Sequence, residues 1–138
     1  MIGPARRLLP LVALACAVAG CQTLLWSWPP GEPVPNVGGV WEGTWDIIPP
    51  LPIRIIITDQ NGPRVSGMVT YEPPSAPPTS TNVTGQFGVR AGARVLLLEA
   101  RGLDRTNLFE FSTLEPDRLE GAGQGLGGQR GAVTLHRR

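Results

Sequence analysis

From Val37 to His136 the side chains alternate between apolar and polar, and turn residues cut the alternation into short runs. A period of two marks an extended strand with one buried face. Trp41, Gly43, Trp45 and Ile47 fall on one face, with Glu42, Thr44 and Asp46 on the other. Pro49-Pro50 ends that run. Ile53, Ile55 and Ile57 alternate with Arg54 and Thr58, and Asn61-Gly62-Pro63 makes a turn. Val65, Gly67, Val69 and Tyr71 follow in the same rhythm. Residues 73 to 80 are mostly Pro, Ser and Thr and read as a loop. Val83, Gly85, Phe87 and Val89 resume the pattern, and Ala91-Gly92 turns the chain.

The run 94 to 100 is apolar on both phases. Either Leu96, Leu98 and Ala100 or Val95 and Leu97 face the core. Gly102 and Asp104 mark another turn. Phe109 and Phe111 alternate with Leu108, Glu110 and Ser112. After Pro116-Asp117 come Leu119, Gly121 and Gly123, then a glycine-rich turn at 125 to 128, then Val133 and Leu135. No segment of residues 37–138 has helical periodicity. About eight strands with short links form an all-β, antiparallel up-and-down meander. Eight such strands can close into a small barrel and lose their exposed edges. Gly43, Gly67, Gly85 and Gly121 stand inside strands on the core-facing phase, where glycine permits bending and close approach of large neighbours. The phrase apolar-x-Gly recurs at Val65-Ser66-Gly67, Val83-Thr84-Gly85 and Leu119-Glu120-Gly121, a repeated bending device.

The N-terminus is of a different kind. Arg6 and Arg7 precede an apolar run from Leu8 to Gly20, which closes on Val18-Ala19-Gly20-Cys21. A basic start, an apolar middle and small residues form an export signal. The run is shorter than the ~20 residues of a membrane span, and Pro10 suits a helix interior poorly. Val18-Ala19-Gly20-Cys21 resembles the signal of bacterial lipoproteins. The resemblance implies diacylglyceryl on Cys21, cleavage before it and acylation of the new amino group. Residues 1–20 are then the signal peptide, and the protein is held on a membrane of the cell envelope. Ala17-Val18-Ala19 is also a small-x-small site for ordinary secretion, but that cleavage leaves Cys21 as an exposed thiol in an oxidising compartment. Gln22 after the lipid site is compatible, by the same resemblance, with the periplasmic face of the outer membrane in a Gram-negative host.

Residues 21–36 carry four prolines within seven positions and read as a Pro-rich tether. Trp26 and Trp28 suit the membrane interface or packing against the domain. Residues 37–138 are the barrel domain. With Cys16 lost with the signal and Cys21 lipidated, no disulfide or zinc-thiolate site is available. The domain must therefore stand on its core. All basic residues are arginine, scattered along a near-neutral chain. Nucleic acid, which requires a basic stripe, is not an expected partner.

At Gly39-Val40-Trp41-Glu42-Gly43-Thr44-Trp45, followed by a hairpin ending in Val65 to Tyr71, the chain resembles the opening of the calycin group of lipocalins and avidin-like barrels. The resemblance covers the first three strands, and beyond them the strand count alone. It implies that Trp41 plugs one end of the barrel. It carries over an architecture and no ligand.

No catalytic constellation emerges, so a non-enzymatic protein without cofactor or metal is expected. His136, the only histidine, falls on the polar phase near the C-terminus. Glu42 and Asp46 share the solvated phase, and paired carboxylates there would be the acid–base or calcium candidates. Glu99 is the one carboxylate whose phase admits it to the interior, where it would need Arg101 or Arg54 as partner. Residues 121 to 131 lack the lysine of a phosphate loop. The remaining candidates are aromatic: Trp41, Trp45, Tyr71, Phe87, Phe109 and Phe111 either line a site for a small apolar ligand or fill the core. The alternative is an envelope interaction protein, such as an inhibitor of a protease or a lysozyme, presenting its proline loop.

Overall fold

Eight strands follow one another around a closed ring. In the computed structural model, which describes residues 25–102, 105–125 and 127–138, they are β2 (Gly39–Trp45), β3 (Leu51–Asn61), β4 (Arg64–Tyr71), β5 (Thr79–Arg90), β6 (Ala93–Arg101), β7 (Thr106–Leu114), β8 (Arg118–Gly125) and β9 (Arg130–Arg137). Val18, Ala19, Gly20 and Cys21, on which the lipoprotein resemblance rests, and the turn residue Asp104 lie outside the described residues. Each strand pairs antiparallel with the next, and β9 returns to pair with β2 through Trp41↔Arg137 to Trp45↔Val133. The expected meander thus closes into a barrel. A ninth, two-residue strand, β1 (Trp26–Ser27), pairs with the end of β5 opposite Val89 and Gly88. It occupies the side of β5 that β4, whose first residue lies opposite Gln86, does not reach.

The inward phase is the one the alternation predicts. Ile53, Ile55, Ile57, Val65, Val69, Val83, Leu119, Val133 and Leu135 are all buried. Trp41, Phe87, Phe109 and Phe111 have no exposed surface and Trp45 has 2%. Each such side chain contributes about 1.5–3 kcal/mol by leaving water. Phe109 meets Trp45 edge-to-face, with centroids 5.2 Å apart. In β6 the inward set is Leu96, Leu98 and Ala100. Val95 is buried too, but on the outer face. Its register partner Gly88 lies under the Leu25 side chain, so an N-terminal segment roofs this part of the sheet.

Glycine makes the bends. A Cβ on Gly67 would collide with the Ile56 carbonyl, one on Gly121 with the Glu110 carbonyl, and one on Gly43 with the Thr134 carbonyl. Two of these glycines are matched with bulges. The register slips between Ile57 and Asp59 opposite Gly67, and between Phe111 and Thr113 opposite Gly121. A bulge strengthens local twist, and a glycine opposite it lets the strands fold sharply around the core. The turns use the same residue. Gly62, with φ of 58°, opens the two-residue Gly62-Pro63 link, and Ala91-Gly92, with φ of 50° and 80°, forms another.

Two boundaries differ from the sequence pattern. β2 ends at Trp45, and Ile47 packs from beyond the strand onto the edge of the core. β5 begins at Thr79, inside the stretch expected to be loop. Thr79 to Asn82 pair with Tyr71 to Met68, and Thr70 and Ser80 share a hydroxyl hydrogen bond of 2.8 Å. That run has no apolar face to reveal it as a strand; its partner supplies the ladder.

The glycine positions give a stability test. Gly67→Ala and Gly121→Ala are each expected to lower unfolding free energy in urea titrations by about 3 kcal/mol or more, because backbone must move. Gly127→Ala, whose added Cβ would meet only the Gln129 side chain at 3.9 Å, is expected to change stability by no more than about 0.5 kcal/mol.

Candidate functional site at the mouth of the barrel

The two ends of the barrel are built differently. At the end where β2 begins and β9 finishes, Trp41 lies across the interior. Its indole N–H donates to the Val37 carbonyl at 2.9 Å. The Arg137 guanidinium stacks over its ring, 4.5 Å from the centroid. The same guanidinium donates to the carbonyls of Pro116 and Asn36, each at 2.7 Å, and of Gly38. Five donors in a planar fork suit arginine to this bracket, which ties the chain before β2 to the β7–β8 turn. Gln60 adds a clasp: Nε2 donates to the Pro35 carbonyl at 2.8 Å, and Oε1 accepts from the Val37 N–H at 3.0 Å.

Residues read as tether finish the seal. Trp28 packs edge-to-face on Phe87 with centroids 5.6 Å apart, and Val34 rests against the core. Arg94 donates to both Glu32 carboxylate oxygens, at 2.7 and 3.0 Å. The hydrogen bond from Arg94 holds the Glu32 carboxyl below its ordinary value. Of the two tryptophans, Trp28 is therefore packed, whereas Trp26 is 69% exposed.

The other end is concave. A depression of about 890 Å³ spreads over the rim and is bordered by Trp45, Leu51, Tyr71, Pro73, Asn107 and Gln129, among others. Tyr71 and Asn107 stand on β4 and β7, on the inward phase, and meet across the mouth: Asn107 Nδ2 donates to the Tyr71 hydroxyl at 2.9 Å. Burial pushes the Tyr71 phenol above its ordinary value, and the Asn107 hydrogen bond offsets part of that shift. Below this pair Trp45 is buried with its indole N–H lacking a hydrogen-bond partner. The mouth therefore offers apolar surface and a paired phenol and amide. Small-molecule pockets in general combine apolar walls with a few polar groups.

The aromatic candidates divide accordingly. Trp41, Trp45, Phe87, Phe109 and Phe111 are core, and Tyr71 alone stands half-buried at the mouth. The ionisable candidates lie on the outside. Glu42 pairs with Arg54 and Arg138, both at 3.1 Å. Glu99 is on the outer face of β6, where Arg101 Nε donates to it at 2.6 Å. Asp46 and His136 are exposed. Among the described residues no group of three His, Cys, Asp or Glu side chains could hold a metal. A smaller outer-face hollow of about 480 Å³ lies over Leu97, Leu108 and Ala122, beside Arg90 and Glu110.

Arg137 and Asn107 escaped the sequence reading, although their phase marks both. Arg137 continues the inward series Val133-Leu135, and Asn107 precedes Phe109 and Phe111 on the same phase. Polar residues at the ends of inward series are what an end seal and a mouth require.

A scan against protein-family models finds no match, and neither does a search of curated proteins. Among solved structures, a redesigned β-barrel is similar to this chain with a TM-score of 0.57 at 11% identity. The match covers 74% of this chain and 91% of that one. The likeness is one of fold.

Tyr71 is the only tyrosine in the chain, so its phenol can be titrated by absorbance alone. The expected midpoint is above the ordinary 10.0, returning to it on unfolding. The neutral phenol then stabilises the fold fully below the unfolded value, and this contribution disappears as pH rises through the folded one. Tyr71→Phe should abolish that part of the alkaline loss of stability.

Proposed function

We propose that this chain is a lipid-anchored protein of the bacterial cell envelope whose barrel is a non-enzymatic binding module, taking a small, partly apolar molecule at its mouth. The observation that carries the binding half is the asymmetry of the ends. One is closed by Trp41, Arg137 and the chain before β2, and the other is concave around Tyr71 and Asn107. Because aromatic side chains fill the interior, the ligand sits at the rim and not in a deep cavity. The anchoring half rests on Val18-Ala19-Gly20-Cys21 and its lipoprotein resemblance. The calycin resemblance, which would make Trp41 a barrel plug, is part of the same reading.

A second reading is favoured by one observation. The loop between β4 and β5 is proline-rich and exposed from residue 74 onward, and Pro73 borders the mouth. An envelope enzyme inhibited by this protein would meet that lip first.

Cys21→Ala is expected to leave the protein without acyl mass and to move it from the membrane to the soluble fraction; unchanged fractionation contradicts the anchor. Native mass spectrometry of protein purified from its own host is expected to show a small-molecule adduct that is lost in Tyr71→Ala. A bare mass from folded protein instead turns attention to the proline lip and a protein partner.

A further inference from the structure

The sealed end of the barrel is also the end at which the N-terminus docks. We infer that this end faces the bilayer, with Trp26 in the headgroup region and the mouth opening away from the membrane. The inference rests on the lipoprotein reading and adds an orientation to it.

The warrant is chain length. Leu25 already lies on the barrel, its side chain over Gly88, and Trp26 and Ser27 pair with Val89 and Gly88. Four Cα steps join Cys21 to Leu25, and fully extended they reach at most about 14 Å. An acylated Cys21 is fixed at the bilayer surface, so Leu25 and the adjoining end of β5 stand within that distance. β5 runs from Thr79 at the mouth to Arg90 at the sealed end. With ordinary rise and barrel tilt, its length separates the two ends by roughly 25–30 Å along the axis. With the anchor in place, the barrel therefore cannot stand mouth-down on the bilayer unless the docked segment comes loose. That segment is held by the β1 ladder, the Glu32–Arg94 pair, the Trp28–Phe87 contact and the Gln60 clasp.

The exposed side chain at this end fits the same occupant. Trp26 is 69% exposed on β1, five residues after Cys21 in the sequence. Indoles concentrate at the boundary between lipid and water. The occupant of this face is thus the lipid surface to which Cys21 is joined.

The test uses full-length protein isolated from membranes and reconstituted into phosphatidylethanolamine–phosphatidylglycerol vesicles with brominated acyl chains. Three forms are compared by tryptophan quenching: the natural protein, Trp26→Phe, and Trp26→Phe with Ser75→Trp as a reporter in the exposed lip. The mass of the Cys21 peptide is read on each. The expected result is acylated Cys21, quenching largely lost in Trp26→Phe, and none regained with Ser75→Trp. Acylated Cys21 with quenching at Ser75→Trp equal to that at Trp26, or with no quenching at either site, overturns the orientation alone. Cys21 without acyl chains removes the lipoprotein reading, and this inference with it.

Discussion

The interior of an eight-stranded barrel is only as wide as the side chains that fill it, and this chain puts two indoles and three phenyl rings inside. The other features of the fold answer that crowding. Rings that large can meet only if the backbone turns sharply around them. The strands therefore carry glycine where the next strand's carbonyl passes, as at Gly67 against Ile56 and Gly121 against Glu110. A bulge opposite each of these two glycines supplies the extra twist. With the centre filled, any recognition is confined to the ends and the outer surface.

The ends then diverge according to which polar residue terminates each inward series. At one, Arg137 has five donors and uses them on three carbonyls while covering an indole. This converts loose chain into a lid and leaves little for a ligand to use. At the other, Tyr71 and Asn107 satisfy each other with one bond and retain further capacity, above a buried indole N–H that has no partner. A neutral pair that is easily re-partnered suits reversible binding better than a saturated bracket does.

Most of the barrel could be read from the sequence because period two is unambiguous when one phase is apolar and the other polar. Ile53-Ile55-Ile57 and Phe109-Phe111 needed nothing more. The pattern failed where both phases are buried for separate reasons: Leu96 faces the core, and Val95 lies opposite a glycine roofed by Leu25. It also failed where neither phase is apolar, as in Thr79 to Asn82, whose strand character comes from the partner. Trp26 and Trp28 look alike in sequence but differ in fate, since β1 stops at Ser27 and frees Trp28 to turn onto Phe87. The mouth was half legible. Tyr71 stood out as an aromatic, whereas Asn107 gains meaning only from the residue it meets across the opening.

Closure through β2 and β9 has a temporal side. The pairing Trp41↔Arg137 joins the first strand of the ring to the last, and the seal around Trp41 takes its guanidinium from the end of β9. Neighbouring strands can form hairpins as soon as they exist, since their contacts are local. The ring itself has to wait for β9 to be synthesised. Until then β2 presents an unpaired edge, with Trp41 lacking its cover. A chain without β9 would keep most of its strands and still remain an open sheet, with β2 and β8 as its edges.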